Sequence, residues 1–179
     1  MKKNVLCGIV LAMVLSGCGS ATRSSSGQDE LARIQEKGEI TIGLEGTWKP
    51  FSYHDADNRL VGSDVETGRA IAKELGVKAN IEEAPWDTLL TGLSTGTYDL
   101  VINGVEATED RKKSFDFTDP YMYDRAVLVV RNDNTDIHSF EDLKGKITAN
   151  SLNSTYEEIA EKYGSEVKKE DDLPKCMNC

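Results

Sequence analysis

Between Gly104 and Tyr121 the chain reads GVEATEDRKKSFDFTDPY, a run in which acids, bases and aromatics crowd around one arginine, Arg111. Glu109 and Asp110 precede it and Lys112 and Lys113 follow, so Arg111 taken alone is one more solvated charge in a mixed run. Aromatic groups are a second resource. Trp48 and Tyr53 flank a Pro-Phe pair and Trp86 follows Pro85, which puts three rings at strand-to-helix junctions, where they can stack on a bound molecule or cap the core. For Tyr53 packing is the stronger reading. Acid–base chemistry has one candidate pair, Glu45 with Glu106, and no histidine or serine nucleophile arrangement supports it. The terminal CMNC, Cys176 and Cys179, has the spacing of half a zinc or redox site. No second ligand pair accompanies it, and His54 and His138 stand apart, so neither a metal nor another cofactor is expected.

Such residues need a scaffold, and the hydrophobic pattern supplies one. Ile40, Ile42 and Leu44 alternate as in a strand that runs into the turn-like EGTWKP. SDVETGRAIAKELG reads as a helix capped by Ser63 or Asp64, with Val65, Ile71, Ala72 and Leu75 at helical spacing and Gly76 as its stop. KANIEEA reads as a strand, WDTLLTGLSTG as a helix burying Leu89, Leu90 and Leu93, and YDLVINGV as a strand through Leu100, Val101 and Ile102. The order β-α-β-α-β implies an α/β sheet with ligands beyond the carboxyl ends of its strands, which singles out loops 45–53 and 103–111. Further on, RAVLVVRND, residues 125–133, reads as a continuous apolar strand leaving this first unit. SFEDLKGKITANS reads as a short capped helix, a turn at Gly145 and a strand, and STYEEIAEKYG as a helix capped by Ser154 or Asn153 and stopped by Gly164. There is no internal repeat.

The 179 residues, 39% of them hydrophobic, suit one ordinary domain or two small lobes. A formal charge of −10, more negative once Lys2 and Lys3 are lost, repels polyanions and argues against a nucleic-acid partner. Lys2 and Lys3 precede VLCGIVLAMVL, an apolar run too short for a membrane span, so residues 1–17 have the character of an export signal. It ends in LSGCGS, which resembles the lipobox of bacterial lipoproteins, and that resemblance implies that Cys18 is acylated, palmitate included, and becomes the new N-terminus. The polar, Ser-rich stretch that follows is expected to be a flexible tether; with Cys18 it is drawn over residues 18–38, the packed sequence starting near Asp29.

Taken whole, TEDRKKSFDFTDPY closely resembles the signature of the bacterial extracellular solute-binding proteins, family 3, the amino-acid receptors of ABC importers, which carry Thr-x-x-Arg and then Asp-Phe-Ser/Thr-x-Pro-Tyr. Thr108, Arg111, Asp116, Phe117, Thr118, Pro120 and Tyr121 stand at those places. GTWKPFSYHDADNRLVGSDVETGRAIAKELG is similar to the family's first pocket loop and helix, and DLKGKITANSLNSTYEEIAEKYG to its second lobe, so the likeness runs from about residue 39 to about residue 172. It implies an α/β, two-lobed, periplasmic-binding-protein-like fold of type II, with lobe one over 39–124, a hinge strand over 125–131 and a partial lobe two over 132–179. In that family a cleft arginine grips the ligand's α-carboxylate, and Arg111 stands there; a planar guanidinium fits a carboxylate better than an ammonium does. By the same resemblance Trp48 and Trp86 sandwich the ligand side chain, Glu45 reads its polar end and the Gly104 carbonyl takes the α-ammonium. Ser154 and Thr155 open the last helix, and the Thr155 N–H faces the carboxylate.

Two departures matter. Glu106 stands where many members have a Ser or Thr that donates to the carboxylate; an ionised glutamate cannot donate, and is expected to pair with Arg111 or attract a cationic ligand group. Ser63 stands where the family usually has Phe, which is expected to leave a gap in the core of lobe one. The function implied is the substrate-binding subunit of an amino-acid ABC importer, extracytoplasmic, lipid-anchored, monomeric, partnered by permease subunits and binding a polar or cystine-like amino acid. Alternatives are an enzyme on the same scaffold, of dehydratase or murein-cleaving type, and a sensor or non-functional remnant. The family's path returns to lobe one after building lobe two, whereas this sequence ends at KKEDDLPKCMNC, so the second lobe is expected to be incomplete and the chain a truncated copy.

Overall fold

The computed structural model of the protein describes residues 27–170 and residue 176. The export signal over 1–17, Cys18 and Cys179 lie outside the described residues. The first described element, helix α1 (Gly27–Lys37), corrects the expected tether over residues 27–37, while residues 18–26 lie outside the described residues. Its sequence is mostly polar, yet Ile34 joins the core and Arg33 pairs with Asp99, which suffices to dock it. Gly38, at φ +73°, stops it and donates its N–H to the Ile34 carbonyl.

The chain then forms β1 (Glu39–Leu44), a small antiparallel sheet of β2 (Thr47–Trp48), β3 (Ser52–His54) and β4 (Leu60–Val61), helix α2 (Ser63–Glu74), β5 (Lys78–Glu83), helix α3 (Trp86–Ser94) and β6 (Leu100–Val101). The expected β-α-β-α-β order is present. β1 is the middle of a parallel sheet ordered β5-β1-β6, with Ile42 opposite both Ile81 and Leu100. A strand paired on both edges and covered on both faces can be apolar throughout. Residues 40–44 are accordingly all buried, and Ile34, Ile40, Ile42, Ala72 and Ile102 form one cluster. Val65 from α2 and Leu89 from α3 are fully buried, while Leu90 and Leu93 are half-buried.

The N-cap of α2 is Gly62 at φ +128°, with no side-chain cap bond, instead of Ser63 or Asp64. A Cβ on Gly62 would stand 2.1 Å from the Phe51 carbonyl oxygen, so the close turn onto the pocket loop takes precedence over side-chain capping. Ser63 is exposed, so the expected gap in the core does not arise, and it is Asp64 that points inward.

Among the described residues the second lobe has the 3-10 turn Phe140–Leu143, β7 (Ile147–Ser151), α4 (Thr155–Lys162) and β8 (Glu166–Glu170), with β7 and β8 paired in parallel. Ser139 and Asp142 form a reciprocal capping box, Phe140 stacks on Tyr163 at 5.4 Å, and Leu143 and Ala160 are buried. The strand expected over 125–133 is not formed: residues 121–131 belong to no helix or strand, and Val127 and Val129 are 73% and 66% exposed. Valine-rich sequence favours an extended chain, but a strand needs a neighbour to exchange hydrogen bonds with, and among the described residues this segment pairs with none.

His54 ties the small sheet to the large one, its Nε2 lying 2.9 Å from Oε2 of Glu83 at the end of β5. The bond to Glu83 raises the His54 pKa above its ordinary value. Its stabilisation is therefore complete below the unfolded value of about 6.5 and is lost as pH climbs through the higher folded value. The urea midpoint should fall as pH rises through that window, and His54→Gln should flatten the fall. Parallel pH profiles for the two proteins would show that the pair contributes nothing.

Candidate functional site

Because β1 and β6 are neighbours in register, the residues that follow them emerge side by side, Glu45 after one and Asn103 after the other. Asn103 is buried and clasps Glu45 twice. Its Oδ1 accepts from the Glu45 backbone N–H at 2.8 Å, and its Nδ2 donates to Glu45 Oε2 at 3.3 Å. Thr47 Oγ1 donates to the other carboxylate oxygen at 3.3 Å. Asn103 was not among the candidates from sequence; its only signal is a polar residue closing the apolar run 100–102.

Trp48 lies against Phe51, ring centroids 4.5 Å apart and planes 45° apart, and its outer edge meets Gly104. Gly104 has φ +57°, and a Cβ there would stand 2.5 Å from Trp48 Cη2, so both conformation and contact call for glycine. The Tyr121 hydroxyl neighbours the Asp64 carboxylate and the Gly104 backbone. Burial and the neighbouring Asp64 carboxylate push the Tyr121 hydroxyl up to about 12. Burial likewise raises Asp64, whose Oδ2 has no hydrogen-bond partner.

Arg111 opens the 3-10 turn Arg111–Lys113, its backbone N–H donating to Thr108 Oγ1 at 3.2 Å. Its side chain is 10% exposed. Nη1 donates to the Glu106 carbonyl at 3.2 Å and to Glu106 Oε2 at 3.1 Å, while Nη2 donates to the Asn153 carbonyl of the second lobe at 3.1 Å. Trp86, the first residue of α3, lies beneath the guanidinium, 5.5 Å from ring centroid to Cζ. Glu106 Oε1 accepts from Thr155 Oγ1 of the second lobe at 2.7 Å. The pairing of Glu106 with Arg111 is one of the two arrangements the sequence left open.

Asn153, at φ +59°, does not cap α4; Ser154 does, its hydroxyl accepting from the Glu157 N–H at 3.1 Å. The Ser154 hydroxyl is thus used by the helix. Every candidate ligand residue except Arg111 lines a cleft of about 1110 Å³ between the lobes. Among the described residues no group of His, Cys, Asp and Glu is placed to hold a metal. The arrangement can seat an anion on Arg111 and Thr155, a flat or aliphatic chain against the two indoles, and a cation or hydroxyl on Glu45.

The model of the bacterial extracellular solute-binding proteins, family 3, matches residues 40–178. The L-cystine-binding protein TcyA of Bacillus subtilis is 41% identical over 175 residues, covering 93% of this chain; this chain spans 65% of that protein's length. An ancestral arginine-binding protein bound to arginine is 39% identical with a TM-score of 0.73, over 79% of this chain and 64% of that one. The L-cystine solute receptor of Neisseria gonorrhoeae, in the unliganded open conformation, is 43% identical with a TM-score of 0.51, over 83% of this chain and 63% of that one.

Gly104→Ala should displace the Trp48 ring and strain the loop, lowering stability by about 1–3 kcal/mol. Tryptophan emission of the unliganded protein and its urea midpoint should both shift. Unchanged values would separate Trp48 from Gly104.

Proposed function

This chain belongs to the bacterial extracellular solute-binding proteins, family 3, and we propose that it is the substrate-binding component of an amino-acid ABC importer, taking a free amino acid between its lobes. The observation that carries this reading is Arg111, withdrawn from water at the meeting of the two lobes with Trp86 beneath it and Thr155 opposite. A guanidinium so placed is a two-pronged seat for an α-carboxylate, with the Thr155 hydroxyl as further donor. The Gly104 carbonyl takes the α-ammonium, Trp48 and Trp86 hold the side chain, and Glu45, fixed by Asn103, meets its polar end. An acid at that end suits a ligand with a second cationic group. The relatives named for cystine and arginine support this class, since cystine carries a second ammonium and arginine a guanidinium. The overall shape is nearer the arginine-bound relative, at a TM-score of 0.73, than the open, unliganded one at 0.51, which supports lobes that stand close together.

The relatives named above are binding proteins, and the only candidate acid–base pair is engaged otherwise: Glu45 with Asn103 and Thr47, Glu106 with Arg111 and Thr155. We assign no catalysis. Family members are extracytoplasmic; the finer placement proposed here is a monomer tethered by acylated Cys18 to the bacterial membrane, delivering its ligand to permease subunits.

Arg111→Ala should weaken binding of L-cystine or L-arginine by about 2–5 kcal/mol while the protein still unfolds in one transition. Calorimetry showing unchanged affinity would remove Arg111 from the site. With Trp48 and Trp86 the only tryptophans, saturating ligand should alter intrinsic emission; an identical spectrum would count against the indole sandwich. Cys18→Ser should move the protein from the membrane to the soluble fraction of cells, and retention in the membrane would overturn the lipid anchor.

A further inference from the structure

The anion seat is already filled. One carboxylate, that of Glu106, receives the Thr155 hydroxyl on Oε1 at 2.7 Å and the Arg111 guanidinium on Oε2 at 3.1 Å. These are the two groups that, in the receptor reading, receive the ligand's carboxylate. Arg111 does not line the cleft, whereas Glu106 and Thr155 do. We propose that Glu106 is an internal substitute for the ligand carboxylate: in the empty cleft it occupies the anion seat and latches the two lobes, and a ligand must displace it. The latch stands on the geometry alone; its displacement by an amino acid rests on the receptor reading.

Charge balance explains why such a latch is useful. A guanidinium only 10% exposed needs a counter-anion whether or not a ligand is present, and Glu106, itself 33% exposed, supplies one without leaving its loop. Among the described residues, two polar links between the lobes, Thr155 to Glu106 and Arg111 to the Asn153 carbonyl, start from this pair. Removing the Glu106 carboxylate breaks the first outright and frees Arg111 to swing away from the second. When a ligand carboxylate takes over Arg111 and Thr155, Glu106 becomes an unpaired anion beside it. A ligand with an ammonium on the adjacent carbon neutralises that anion; a plain carboxylic acid does not. Glu106 is therefore a specificity-determining residue that selects α-amino acids over carboxylic acids, a distinction a serine or threonine hydroxyl at this position does not make.

Hydrogen–deuterium exchange of the ligand-free full chain tests the latch. Glu106→Ala should speed exchange in residues 103–111 and 151–157 together, by about tenfold, the loss expected for a charge-assisted bond. Unchanged exchange in 151–157 overturns the latch. Should Glu106→Ala also expose the β1 amides, which report unfolding, Thr155→Val decides instead. It removes only the donor across the gap, so it must speed both segments with β1 still protected, and failure to do so overturns the proposal. For selectivity, calorimetry compares whichever of L-cystine and L-arginine binds better with its des-amino analogue. Glu106→Ala should cut the preference for the amino acid by about tenfold, and an unaltered preference overturns the selective role. Absence of amino-acid binding to both proteins counts against the receptor reading, and exchange then decides the latch by itself.

Discussion

A guanidinium nearly withdrawn from water must be given acceptors, and Arg111 takes them from both lobes. Much of the local architecture serves that requirement. Thr108 fixes the backbone where the 3-10 turn begins, so the side chain leaves in the right direction. Trp86 supplies an aromatic face below, and Asn153 adopts a left-handed conformation that delivers its carbonyl from above. The mixed charges on either side are irrelevant to this: Lys112 and Lys113 make exposed pairs with Glu109 and Asp110, of the kind that contribute little. One arginine among several charges matters because of where the chain turns.

Where the chain turns is set by the sheet. β1 is hydrogen-bonded on both edges, and its register with β6 fixes the spacing between the loops that leave their carboxyl ends. Asn103 converts this adjacency into a rigid side-chain position, since its one amide holds both the backbone and the carboxylate of Glu45. Gly104, one residue on, passes under the Trp48 ring because it has no Cβ, and the Tyr121 hydroxyl neighbours both it and Asp64. An inward aspartate in the first turn of a helix is costly to bury. Here the helix N-terminus and the neighbouring Tyr121 hydroxyl offset part of that cost.

Much of this was legible. The alternation at Ile40, Ile42 and Leu44, the helical spacing from Val65 to Leu75 and the stops at Gly76 and Gly164 each encode an element locally, and the Thr108–Tyr121 signature identifies the loop that carries Arg111. What was not legible depended on tertiary contacts. α1 has little apolar surface, and Ile34 and Arg33 acquire meaning only when the core and Asp99 are in place. β8 reads EVKKE; a strand at the edge of a two-stranded sheet needs only Val167 half-buried, so charge dominates its sequence. Ser63 and Asp64 have the composition of a cap, but the approach of Gly62 to Phe51 decides otherwise. Asn103 and Asn153 act through an amide and a carbonyl whose targets lie far along the chain.

The two lobes are held very differently from the way each holds itself. Within lobe one, parallel strands and a contiguous cluster of Ile, Leu and Val make the elements mutually dependent. Among the described residues, polar links between the lobes gather where Glu106 and Arg111 reach Thr155 and Asn153, and the connecting residues 121–131 form no backbone ladder. Opening the cleft therefore breaks few contacts, whereas opening either lobe disrupts its core. Local stability is low where the molecule has to move and high where it has to hold geometry. A cleft closed by so few polar groups is sensitive to the charge placed within it, so the same carboxylate that settles the empty state also sets the terms on which a ligand enters.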